Sequence, residues 1–325
     1  MLHRITRVAR VIEVERCAVN LLRPLFDATL IWMSNDQIAL TGFERVDTTG
    51  DYTDYAQTWC ASRLRSAASK FGRHMDSKPL MITDILDSEW EMVLKGAERY
   101  GDYFNNALSF VGVLGTGMIK SVDHDRHLFV VFLSSVRKHL TLALFSTVRL
   151  HHVQAMMNLR QVLEAGACAA YAIVHTDLQD FADFDANGIL DPSQALATKR
   201  YRWLKETFPP VSTAIKDAKD ALNAISTHAN VINATRTFEV RTDAGKFGTP
   251  FFDIENERWV KADLLLVGSI AITLMDAFYG INASLTPIKW HDDWLPKFRM
   301  LVAENTRLKR EARAQMIQDG DPDRF

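Results

Sequence analysis

The sequence predicts an all-α fold, a helical bundle carrying one small β-hairpin at about 237–254. Three observations predict it. Apolar residues recur at helical spacing along most of the chain. The convincing β signal is confined to TFEVRT, DAGKFG and TPFFDI around Gly245. Strands and helices do not alternate, which argues against a parallel sheet and hence against the α/β enzyme folds.

Taken in order, roughly the first 35 residues read as one or two helices interrupted near Pro24, where the ring fixes φ and removes a donor. Residues 41–55 are rich in Gly, Thr and Asp and read as a loop. A helix follows from about Ala56 to His74. Asp87 or Ser88 can cap the next, which runs through EWEMVLKGAERYGDYFNNAL and ends or bends in the glycine-rich FVGVLGTGM. Two long apolar helices occupy about 123–148 and 150–175. The loop DFDANGILDP leads into a helix from Pro192 to Phe208, with Pro192 suited to its first turn. Pro209 and Pro210 interrupt the chain, and Val211–Ala234 is amphipathic. Helices at about 257–284 and 292–316 precede the polar tail QDGDPDRF. The expected organisation is an N-terminal helical region (1–120), a central bundle (121–290) and a charged C-terminal helix with its tail (291–325).

Composition narrows the function classes. A formal net charge of −2 over 325 residues gives no global attraction to nucleic acid or anionic lipid. Cys17, Cys60 and Cys168 are odd in number and widely spaced, so neither a disulfide framework nor a zinc ribbon is indicated, and a reduced cytoplasm is the expected compartment. The basic N-terminus MLHRITRVARVIEVER lacks a signal-peptide core and reads as a surface helix. The run Leu264–Ile281 barely reaches spanning length and contains Asp276, so it reads as a buried bundle helix and no membrane is expected.

The most informative stretch is MMNLRQVLEAGACAAYAIVH, Met156–His175. Taking Arg160 as zero at about 100° per residue, Glu164 falls near 40°, Tyr171 near 20° and His175 near 60°. Four polar side chains thus share one stripe of a helix that is otherwise apolar. Such a helix is expected to be buried, its Arg and Glu paired, with Glu164→Ala costing roughly 3–5 kcal/mol. In NAISTHANVINATR, Asn223, Ser226, Asn230 and Asn233 line one face while His228 points the other way, toward a core that the Arg160 stripe also faces. A buried network of Arg160, Glu164, Tyr171, His175, Ser226 and His228 is therefore expected.

Other constellations carry less. GVLGTGMIKS places Met118 and Ile119 between its last glycine and Lys120, which fails the phosphate-binding P-loop and leaves a helix bend or close packing. His124 and His127 beside Asp123 and Asp125 have a metal-ligand spacing but no evident third ligand, and acids there suit a helix start. No Glu-x-x-His pair exists for a di-iron bundle and no GxSxG elbow for a hydrolase, so no cofactor is expected. The Arg- and Lys-rich terminal helices read as solvated faces.

LRQVLEAGACAAY, followed by ALNAISTHAN and a hairpin, resembles bacterial all-helical families similar to HEPN domains, over about 125–285. Arg160, Glu164, Ser226 and His228 are the positions that match. The resemblance implies a helical bundle of the toxin–antitoxin or phage-defence type, many of whose members are RNases. Those RNases carry Arg, a polar residue and then His about six positions after the Arg; here Leu222 and Asn223 precede His228, so the Arg is missing. The expectation is a non-catalytic interaction or regulatory protein that binds a protein partner or itself, with RNA a possible ligand. The alternatives are a metal-independent RNase using His228, Arg160 and Glu164, and a binder of a small anion.

Overall fold

The computed structural model describes residues 74–75, 81–184, 187, 190–191, 194–226, 231–241, 246–248, 250–283 and 286–318. All of them fall in one compact unit, Asp47–Phe325. The expected helices before residue 74, the loop at 41–55, His228 and the tail after 318 lie outside the described residues.

The all-α class with an inserted hairpin holds. The helices are α1 (Ile82–Leu94), α2 (Gly96–Gly112), α3 (His127–Val148), α4 (His152–Ala172), α5 (Gln194–Thr207), α6 (Pro209–Ser226), α7 (Val231–Arg236), α8 (Glu257–Asn282) and α9 (Trp294–Gln318). The hairpin pairs β5 (Glu239–Arg241) with β6 (Lys246–Gly248), and β1 (His74–Met75) adds to β6 in parallel. Two further antiparallel pairs tie loops together, β2 (Ile119–Val122) with β7 (Ile288–Trp290), and β3 (Asp183–Phe184) with β4 (Leu190–Asp191).

Some boundaries differ from the sequence reading. The helix placed after Asp87 starts at Ile82 with no side-chain cap, and it breaks at Lys95 into α1 and α2. Gly101 takes φ 52° inside α2, a conformation only glycine adopts cheaply. The bend expected in FVGVLGTGM is real: α2 gives way to one π-helical turn, Val113–Gly117. A Cβ on Gly115 would lie 2.8 Å from Arg137 Nε, so this glycine also permits close helix packing. His124 and His127 are both exposed, His124 in a short 3₁₀ turn, and no group of three or more metal-ligating side chains forms among the described residues.

The core is built from the apolar helices. α3 and α4 form an antiparallel hairpin against which α8 packs, with α2 and α9 on its other side. Phe129 and Phe278 meet edge-on at 5.6 Å, and both are fully buried. The segment His124–Val148 (mean hydropathy 1.5) and α8 (1.9) are long and apolar enough to cross a membrane, but 61% of the α8 window is buried in the bundle. Asn256 caps α8 by accepting from the Arg258 and Trp259 amides. At its other end the Asn282 side chain brackets Ile288, donating to its carbonyl and accepting from its amide, both at 2.9 Å. That clamp fixes β7, and through it β2, against the end of α8.

The α3–α4 turn is fastened from outside. Leu150 sits there at φ 59°, a left-handed conformation that costs a side-chain-bearing residue roughly 1–2 kcal/mol. Its carbonyl accepts from the Asp253 amide at 2.9 Å, and Asp253 Oδ2 accepts from the His152 amide at 2.6 Å, supplying the partner that the α4 N-terminus lacks. On the flank, His151 and Arg149 both reach Glu89 of α1.

Candidate functional site

The stripe of α4 lies in a seam against the α5–α6 hairpin, and its burial is deepest at Tyr171. Arg160 and Glu164 pair at 3.2 Å but are each 37% exposed, and Lys219 of α6 joins Glu164 at 3.3 Å. The expectation of a fully buried Arg–Glu pair is therefore corrected. The cause is that at these positions the seam is open to solvent, whereas Tyr171, farther along the same stripe, is fully buried. The energetic expectation changes with it. An ion pair this exposed contributes about 1 kcal/mol or less. Glu164→Ala is expected to shift stability by no more than that in urea denaturation, with Lys219 and Arg160 turning to water.

At the buried end, Tyr171 and His175 stack with ring centroids 3.9 Å apart, and Trp203 of α5 meets both edge-on at 5.1 and 5.2 Å. Asp180 holds Lys199 at 2.7 Å and lies 3.8 Å from His175 Nδ1. Lys199 stands close enough to the Tyr171 hydroxyl to stabilise its ionised form, yet without hydrogen-bond geometry. Burial raises the Tyr171 pKa above its usual value and lowers that of His175. Arg200 lies over the Phe181 ring at 5.8 Å and faces Cys168, whose thiol burial pushes up despite that cation. Lys219 donates to the Tyr201 hydroxyl at 3.0 Å. Burial opposes its charge, but Tyr201 and Glu164 outweigh burial and raise its pKa.

Two features follow. Arg160, Lys199, Arg200 and Lys219 face only Glu164 and Asp180 in these contacts, an excess of positive charge. Tyr171 Oη, His175 Nε2 and Arg200 Nη1 are buried with no hydrogen-bond partner among the described residues.

The stripe residues Arg160, Glu164, Tyr171 and His175 thus do converge on one seam. Ser226 is the last residue of α6, and His228 lies outside the described residues, so the structure does not join them to it. Leu222, which stands where a HEPN RNase has its Arg, is buried in the core. Sequence reasoning missed Lys199, Arg200 and Trp203. Their signal is the run KRYRW, 199–203, basic and aromatic residues interleaved on one helix.

A second buried polar centre was not foreseen. His152 Nδ1 donates to Asp263 Oδ2 at 2.7 Å, and Arg236 Nη1 lies 3.7 Å from the same oxygen. The Arg236 guanidinium rests over the Trp259 ring at 4.5 Å. All three polar residues are at most 4% exposed. His152 starts α4, Arg236 ends α7 and Asp263 lies in α8, so the cluster ties α7 and α8 to the α3–α4 turn. We assign it a structural role, because its charges are paired and it borders only a small cavity beside Asp253 and Trp259.

No family model matches the chain, and neither a curated protein nor a solved structure matches it.

Proposed function

We propose that this chain is a non-catalytic helical binding protein and that the α4–α5–α6 seam takes a small anionic ligand of the nucleotide or phosphate type. The supporting observation is the set of three buried polar atoms, Tyr171 Oη, His175 Nε2 and Arg200 Nη1, without partners among the described residues. Each buried polar group left unsatisfied costs about 1–3 kcal/mol, and an anion accepting from all three would recover it. The Trp203 and Tyr171 rings add an apolar wall suited to a planar base. On the sequence resemblance to HEPN-like proteins, we read such binding as serving a regulatory or defence role, through a protein partner or a second copy. The RNase alternative has less support, because Arg160 is engaged at the surface by Glu164.

Thermal denaturation with ATP, ADP and inorganic phosphate tests the reading. A ligand at a hundred times its Kd stabilises by about 2.7 kcal/mol, and Arg200→Ala should abolish the shift. The pH dependence has a definite sign. Burial holds the His175 pKa below 6.5, and a bound anion favours its protonated form, so affinity should rise as pH falls from 8 to 6. No stabilisation by any of these anions, or one indifferent to Arg200, would overturn the site. Cleavage of total RNA in EDTA that is lost in His228→Ala would overturn the non-catalytic assignment instead.

A further inference from the structure

The buried end of the seam has a definite count of donors and of charges. Tyr171 is fully buried, and its ring stacks on His175 at 3.9 Å with 17° between the planes. Phe181 joins Arg200 to that stack, its ring 5.5 Å from Tyr171 and 5.8 Å from the Arg200 guanidinium. Tyr171 Oη, His175 Nε2 and Arg200 Nη1 can each donate, the histidine whenever Nε2 carries the proton. The acid at this end, Asp180, is held by Lys199 at 2.7 Å. In the contacts of the seam four cations, Arg160, Lys199, Arg200 and Lys219, stand against two carboxylates, Glu164 and Asp180, an excess of two positive charges.

Oxyanions fit these counts unequally. A phosphate monoester has three terminal oxygens, and its second pKa near 6 gives it close to two negative charges at pH 7.5. A diester has two non-bridging oxygens and one charge, so one buried donor would stay unmet. A triphosphate ends in three oxygens but carries further charge up the seam toward Glu164. Arg160 and Lys219 do not relieve that charge, because Glu164 already engages both and Lys219 also donates to Tyr201. Resting on the seam as an anion site, we propose that its ligand is a phosphate monoester. Tyr171, His175 and Arg200 take the terminal oxygens, and the ester oxygen, which needs no donor, leads toward the open end at Glu164.

Isothermal titration calorimetry of the full chain at pH 7.5 and fixed ionic strength tests this with AMP, ribose 5-phosphate, 3′,5′-cyclic AMP and ATP. AMP and ribose 5-phosphate should each bind about tenfold or more tightly than cyclic AMP and ATP, the worth of one hydrogen bond to a charged group. AMP ahead of ribose 5-phosphate supports a nucleotide against the Trp203 ring, and equal affinities support a sugar phosphate; both agree with a monoester. Tyr171→Phe keeps the ring and removes one donor. It should weaken AMP roughly tenfold and leave cyclic AMP unchanged, so that the preference disappears. If that chain fails to fold, His175→Phe, which keeps the stack and removes a different donor, makes the same comparison. Cyclic AMP or ATP binding as tightly as AMP, or a preference that survives loss of the donor, would overturn the monoester while leaving the seam an anion site. Binding of none of the four would overturn the anion site itself.

Discussion

Asp263→Ala is expected to lower the stability of the fold by roughly 3–5 kcal/mol, the cost of breaking a buried charged cluster by removing one partner. Asp263 is 3% exposed and faces both His152 Nδ1, at 2.7 Å, and the Arg236 guanidinium, at 3.7 Å. Removing the carboxylate takes a buried counter-charge from Arg236, which is itself 4% exposed, and takes away the acceptor that orients His152 at the start of α4. Urea denaturation measures this as a fall in midpoint at unchanged slope. Two companions fix the cause. Asp263→Asn keeps an acceptor for His152 but not the charge, so it should fall between the wild type and Ala. Asp263→Ala combined with Arg236→Met removes both charges and should be less destabilised than Asp263→Ala alone. A single variant that unfolds at the wild-type midpoint would mean that water reaches the cluster and that the α3–α4 turn is held by Asp253 and Glu89 without it.

This cluster also shows what a single sequence can convey. Helical periodicity is local, so α3, α4, α8 and α9 were legible to within a few residues, as was the hairpin around Gly245. The grouping of Arg160, Glu164, Tyr171 and His175 on one face was legible for the same reason. Their depth was not. Periodicity says which side chains share a face, whereas exposure depends on how much of that face a neighbouring helix covers. Hence Tyr171 is fully buried and Arg160, eleven residues earlier on the same stripe, is 37% exposed. The His152–Asp263 bond joins residues 111 apart in sequence, and no local pattern announces such a contact. One trace was present: Asp263 opens the apolar run LLLVGSIAI, and an acid next to a buried helix face needs a partner. The strands of two to four residues were invisible because they are too short to show alternation. The start of α1 was misplaced because it lacks the side-chain cap that sequence reading relies on.

A close approach between α4 and α8 yields the other large effect. Gly166 lies in the middle of α4, where glycine normally costs a helix about 1 kcal/mol relative to alanine. Its place is explained by α8: a Cβ there would lie 2.4 Å from Leu274 Cδ2 and 2.7 Å from Cδ1. Leu274 is fully buried and cannot simply swing into solvent. Gly166→Val should therefore destabilise by about 1–3 kcal/mol through overpacking, while Gly166→Ala should lose less, because better helix propensity offsets a smaller clash. Leu274→Ala alone should cost about 2–5 kcal/mol by leaving a cavity. In Gly166→Val/Leu274→Ala the valine methyls enter the space the leucine vacated, so the combined loss should be smaller than the two single losses added together. Denaturation midpoints of the four chains form the cycle that measures this coupling. Strict additivity would show that α4 and α8 move apart to admit the new side chain. Gly166 would then reflect tolerance of a glycine at that position rather than a demand of the packing.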